Sequence, residues 1–194
     1  MAITLQPHSN QSVPAVRLAL FDSTGALLDA GSSYPFIIIP VEHARIHEGR
    51  LFTMNKMWDS TAKIASGATA DVMITSSATK SPHFICDVEC GGDAEIYVYE
   101  DTVASGGTAI TPINRNRRST NTCQAVAVHT PTVSSVGTLI DSSLLAGGGG
   151  KKSAGGSGGF GGEFVMEYSK NYLVRVKNTS GAAQPLNIII WLYE

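Results

Sequence analysis

A sixteen-residue tract from Gly147 to Gly162, holding ten of the chain's twenty glycines, sets the last part of the sequence apart. Three short segments follow it: Glu163–Tyr168, Tyr172–Asn178 and Leu186–Tyr193, each rich in β-branched and aromatic residues. Such side chains lose χ1 freedom in a helix and pack well on a pleated surface, so these segments predict strands. Gly181 and Pro185 separate the last two and favour a turn. A glycine tract costs more backbone entropy to order than any other composition. It therefore predicts a loose surface loop between strands, not an element of the core.

The rest of the chain repeats the short-strand pattern. In His83–Cys90, Phe84, Cys86, Val88 and Cys90 alternate with His83, Asp87 and Glu89, the period of a half-buried strand. Asp71–Thr75 alternates in the same way, and Cys123–Thr130 reads as a further strand. Glu95–Glu100 is apolar on both faces and predicts a central strand. Thr138–Leu145 fits either a strand or one helical turn, and His43–Glu48 and Leu51–Met54 read as short extended pieces around Gly49. No segment carries a long 3.6-residue apolar period. Eight to ten short strands with Gly, Pro, Asn and Ser between them predict an all-β fold, a β-sandwich of jelly-roll-like type.

Residues 1–40 differ from the remainder. Val16–Phe21, the turn signal Asp22-Ser23-Thr24-Gly25 and Leu27-Leu28 predict a small hairpin. An extended stretch follows in which Pro35 and Pro40 fence Phe36–Ile39 and keep it out of a helix. Two placements are compatible with this: an N-terminal arm that packs on something else, or a hairpin that joins the main sheet. The predicted division is an arm or hairpin at 1–40 and a sandwich domain at 41–194 carrying the glycine loop 147–162.

Composition limits the function classes. Net charge is −2 and charged residues make up 15% of the chain, against about 25% in a typical soluble domain. No global field draws such a chain to nucleic acid or to an acidic membrane. The longest early apolar run has four residues, whereas a membrane span needs about twenty. MAITLQPHSNQS has no basic start followed by an apolar run, so no secretory signal is read. Cys86 and Cys90 in one strand stand roughly 13 Å apart at about 3.3 Å per residue, beyond the reach of a disulfide. Free thiols and synthesis in a reducing compartment are expected.

Each motif with a chemical reading has a plainer one. Gly150-Lys151-Lys152-Ser153 lacks the spacing of a phosphate-binding loop, and a strand rather than a helix follows it. His43 and His47, extended, would sit about 13 Å apart, too far for one metal ion. They are read as solvated or interface histidines. Cys86-x-x-x-Cys90 lacks a second ligand pair. No G-x-S-x-G elbow is present, and Asp87 and Glu89 read as solubilising. No catalytic residue, cofactor or metal site is predicted, and the chain is expected not to be an enzyme. The one basic cluster is Asn114-Arg115-Asn116-Arg117-Arg118, with no aromatic residue between the arginines for base stacking. Arg115, Arg117 and Arg118 are expected to bond carboxylates of the same or an adjacent subunit.

Several pieces, in order, resemble structural proteins of tailed bacteriophages. His43-Ala44-Arg45-Ile46-His47-Glu48-Gly49-Arg50-Leu51-Phe52 is similar to the H-x-x-I-H-x-G-x-x-F opening of that group. Pro82-His83-Phe84 resembles its strand start, and Asn114-Arg115-Asn116-Arg117 its N-R-N/D-R loop. Glu163–Met166 and Asn171–Gly181 resemble its closing hairpin, which ends in an aromatic strand like Trp191–Glu194. The resemblance spans about residues 41–194 and leaves the arm uncovered. It implies a virion component, a decoration or cement protein on the capsid exterior. It implies also a homo-oligomer, a trimer, that bridges major capsid proteins. The arm, with Phe36 and Ile38, the glycine loop, His43, His47 and the three arginines are then the expected contacts. The competing expectation is a tail, baseplate or fibre module that binds a host glycan through Tyr34, Trp58, Tyr97 and Tyr99.

Overall fold

The computed structural model describes residues 4–7, 16–21, 27–28, 41–147, 156–159 and 162–194. The chain divides into two compact units, Met1–Pro40 and Val41–Glu194. In the first, β1 (Thr4–Pro7), β2 (Val16–Phe21) and β3 (Leu27–Leu28) form an antiparallel sheet in the order β1-β2-β3. The hairpin predicted at 16–28 is β2 and β3, with Leu20 opposite Leu28 and Phe21 opposite Leu27.

The second unit opens with helix α1 (Val41–His47) and continues as β4 (Leu51–Trp58), β5 (Thr69–Thr75), β6 (His83–Cys90) and β7 (Ala94–Glu100). Short strands follow: β8 (Val103–Ser105), β9 (Thr108–Ile110), β10 (Ile113–Asn114), β11 (Val126–His129) and β12 (Thr132–Ser135). The unit ends with β13 (Thr138–Leu145), β14 (Gly156–Gly159), β15 (Phe164–Val165), β16 (Asn171–Asn178) and β17 (Leu186–Tyr193). One sheet has the order β10-β4-β17-β6-β14, with β15 also on β6; the other has the order β13-β7-β16-β5-β11-β9. Every pairing is antiparallel. β8 and β12 form a separate two-stranded ribbon.

Alternation decides which residues enter the core. Phe84, Cys86 and Val88 of β6 face inward beside Leu192, Ile190 and Ile188 of β17, their register partners. They pack in one cluster with Val72, Ile74, Ile96, Val98, Val174 and Val176 of the other sheet. The second unit is thus an all-β sandwich, and each large aliphatic side chain buried there contributes about 1.5–3 kcal/mol. β7 lies between β13 and β16, the central position its apolar composition predicts. Thr138–Leu145 is a strand, paired along β7 with a bulge between Leu139 and Asp141. All three cysteines are free, and burial pushes the Cys86 thiol up.

Two expectations are corrected. His43–Glu48 is not extended: Val41–His47 is a helix. A helix of seven residues is too short to be stable by its own propensity, and contacts from elsewhere in the chain hold it. The glycine tract is not wholly a loop either. Gly156–Gly159 form β14 and pair with Asp87–Cys90 at the edge of β6. Glycine makes the same backbone bonds as any residue, and the register of β6 supplies the order that composition does not. The rest of the tract up to Gly161, apart from Gly147, lies outside the described residues.

Candidate functional site: a basic loop pinned to a histidine helix

The loop between β10 and β11 packs on the end of α1, and asparagines make the junction. Asn116 Nδ2 donates to the His47 carbonyl at 3.0 Å. Asn114 Nδ2 donates to the carbonyls of Gly49 at 2.9 Å and Asn121 at 3.1 Å. Asn121 Nδ2 reaches the carbonyls of Glu48 and Gly49, both at 3.2 Å. These carbonyls include some of those that a helix C-terminus leaves without intrahelical partners. Within the loop, the Asn114 and Asn116 side chains accept from the backbone N–H of Asn116 and Arg118. Asparagine serves here because its short amide both accepts from the backbone two residues on and donates across to a neighbour.

Gly49 is required twice at this junction. Its φ of +69° is a left-handed conformation. A Cβ there would meet Ser119 Oγ at 2.2 Å and Ser119 Cβ at 2.5 Å.

The arrangement brings together two of the predicted contact groups. Arg115, Arg117 and Arg118 are exposed on the pinned loop, and exposed His43 and His47 lie on the helix it holds. The expected intrachain pairing of the three arginines does not occur among the described residues: none makes an ion pair there. The local carboxylate, Glu48, instead holds Arg45 at 3.1 Å and Arg50 at 3.6 Å. Phe36 and Ile38 lie outside the described residues, as does Tyr34.

Beside the loop, Arg50, Phe52, Lys80, Asn121, Gln124 and Glu194 line a cleft of about 450 Å³. Glu194 closes it from below. Its side chain is only 1% exposed. The carboxylate accepts from the backbone N–H of Gln124 at 2.7 and 2.9 Å and of Ala125 at 2.8 Å. The Cys123 thiol donates to it at 3.3 Å, and Lys80 Nζ stands 3.8 Å away. Burial, then the Glu194 charge, pushes the Cys123 thiol up and keeps it a proton donor. A protonated thiol is a poor nucleophile. Among the described residues no group of three or more His, Cys, Asp or Glu could hold a metal ion. No described helix is long and apolar enough to cross a membrane.

The aromatic residues divide. Trp58 is 8% exposed and belongs to the core, which removes it from a surface platform. Tyr97 and Tyr99 lie half-buried on the face of β7 turned away from the core, opposite Ile96 and Val98, with ring centroids 6.1 Å apart. The segment reads as apolar on both faces, and that register places its two tyrosines on the face away from the core.

Sequence reasoning identified the arginines and histidines and missed what positions them. The run Asn114–Asn121, dense in Asn, Ser and Thr, carried a turn signal. Nothing local could pair Glu194 with residues 123–125. Against known protein families, curated proteins and solved structures, the chain has no match in any of the three comparisons.

Proposed function

We propose that this protein is a phage virion structural protein that decorates the capsid exterior and stabilises it by bridging major capsid proteins. The observation that carries the reading is the Asn-pinned loop, which presents Arg115, Arg117 and Arg118 to solvent with no carboxylate partner among the described residues. Guanidinium groups on a rigid support suit bidentate pairing with carboxylates of another subunit. A preorganised loop also loses less conformational entropy on docking than a free one.

The strand order supports the finer fold reading. β4-β17-β6-β14 in one sheet and β13-β7-β16-β5 in the other, each with a late strand inserted between two early ones, supports a jelly-roll reading of the sandwich. That architecture is used by viral capsid and lectin domains, and fold by itself does not select between them. The motif order described above favours the virion. The action is then mechanical: area buried across subunit seams, on the order of 1,200–2,000 Å² for a standard interface, opposes the outward pressure of packaged genome. A homotrimer, assembled after synthesis in the host cytoplasm, is the form proposed for the bound state.

A second reading, a tail or baseplate module that binds a host glycan, draws on the Tyr97–Tyr99 pair. Sugar faces stack on such rings, and Glu95, hydrogen-bonded by Tyr97 at 2.9 Å, supplies an acceptor beside them.

The test is co-sedimentation of the purified chain with capsids that lack it. Wild type is expected to bind at saturable stoichiometry, and an Arg115→Glu, Arg117→Glu, Arg118→Glu variant to bind at least tenfold more weakly. Undiminished binding by that variant overturns the interface. Labelling confined to tails, with binding to a glycan array abolished by Tyr97→Ala, overturns the capsid reading in favour of the second.

A further inference from the structure

Residues i and i+4 of a helix lie on one face, one turn apart. In α1 this rule brings His43 and His47 together, and their Nε2 atoms stand 2.9 Å apart. The ring centroids are 4.6 Å apart with the planes at 68°. Two imidazole nitrogens bound at right angles to one ion, each about 2.0–2.1 Å from it, stand about 2.8–3.0 Å apart. A tetrahedral angle would separate them to about 3.3–3.4 Å. The rings as placed match the right-angled case.

We propose that His43 and His47 form a two-nitrogen chelate for a divalent transition ion of tetragonal preference, copper(II) ahead of nickel(II). Both residues are exposed, which leaves the remaining coordination positions to water. Copper(II) leads because it combines that geometry with the highest affinity of the divalent series for nitrogen donors.

Three further observations support the site. The backbone that carries it is fixed: Asn116 bonds the His47 carbonyl and Asn121 the two carbonyls after it, so a helix too short to persist by itself is held in the chelating conformation. The other described histidines are engaged elsewhere. His83 pairs with Glu163, and His129 bonds Thr130 Oγ1 at 3.1 Å and lies against Trp58. Finally, Arg45, between the two histidines in sequence, is bonded to Glu48, which lowers the repulsion an arriving cation meets. In the metal-free pair one Nε2 donates and the other accepts. In the chelate both lone pairs bind the ion, so the donating ring carries its proton on Nδ1 instead.

The test uses the full chain without an affinity tag. Calorimetric titration with copper(II) chloride is expected to give one strong site, and electron paramagnetic resonance at one equivalent a two-nitrogen hyperfine pattern. His43→Ala and His47→Ala should each weaken binding at least tenfold and reduce the pattern to one nitrogen, with His83→Ala within twofold of wild type. Binding by the two variants equal to wild type, or a two-nitrogen pattern persisting in the double variant, overturns the site. A measurement without variants guards against melting of the short helix. One equivalent of copper(II) should protect His43 and His47, and not His83, from diethyl pyrocarbonate; uniform labelling of all three with metal present overturns the proposal.

Discussion

Replacing Glu194 by glutamine tests whether its buried carboxylate holds the 123–125 segment onto the sandwich. The carboxylate takes three contacts from two backbone N–H groups, at 2.7, 2.8 and 2.9 Å. Hydrogen bonds to a charged group contribute about 1.5–3 kcal/mol each, and an orphaned buried donor costs about 1–3 kcal/mol. In Glu194→Gln one oxygen remains for Ala125 and also stands 2.9 Å from the Gln124 N–H, while an NH₂ group replaces the oxygen at 2.7 Å, so donor faces donor at the shorter contact. Charge assistance is lost on both bonds that survive. The expected cost is about 2–4 kcal/mol, the range for two hydrogen bonds that lose a charged acceptor beside a donor–donor contact. For a domain of this size that lowers Tm by about 5–15 °C. Lys80→Ala is the control: its ammonium is half-exposed at 3.8 Å, and such surface pairs contribute about 0–1 kcal/mol. Differential scanning fluorimetry and urea titration provide the readout. A Glu194→Gln loss below 2 °C, or one no larger than that of Lys80→Ala, would falsify the assignment.

Three further outcomes are expected. Gly49→Ala places a Cβ in a left-handed conformation against Ser119, costing about 1–3 kcal/mol, and should speed tryptic cleavage after Arg115, Arg117 and Arg118; unchanged cleavage kinetics would show that the loop does not depend on that contact. Tyr172, pushed up to about 12 by burial, then by its hydrogen bond to Glu100, should ionise well above the range of a free tyrosine in an ultraviolet alkaline titration. An unfolded tyrosine ionises near 10, so its contribution to stability is complete below about pH 10 and declines as pH rises from there toward 12; a Tyr172→Phe protein with the same stability slope across that window refutes the linkage. Deleting residues 1–35 should abolish capsid binding and leave the 41–194 unit folded by circular dichroism, and normal shell binding by the truncated chain sinks the role given to the arm.

The strands were legible where period-two alternation was clean. His83–Cys90 appears with the bounds its pattern predicts, and Glu95–Glu100 falls within one residue of β7. Eight to ten strands were expected, and the second unit alone has fourteen among the described residues. The excess is in pieces of two to four residues such as β10 and β15, too short to show any period. Helix α1 was missed because one face carries the two histidines and the turn beyond it is glycine; tertiary bonds from Asn116 and Asn121 make it a helix. β14 was missed because glycine carries no side-chain pattern and takes its register from β6. The arginines of the site could be read as a basic cluster. Their lack of an ion pair among the described residues depends on where each carboxylate folds, which no local pattern encodes.

The late strands have a consequence for biosynthesis. β17 separates β4 from β6, and β16 separates β5 from β7, with Leu51 meeting Tyr193 only after the intervening polypeptide exists. While the ribosome is still adding those last segments, four earlier strands wait with open hydrogen-bonding edges and no neighbour to fill them. Pairings that distant in sequence form slowly, and open edges are templates for the wrong partner. Those edges stay open until residues 171–193 are available to pair, and a chain cut before them can close neither sheet.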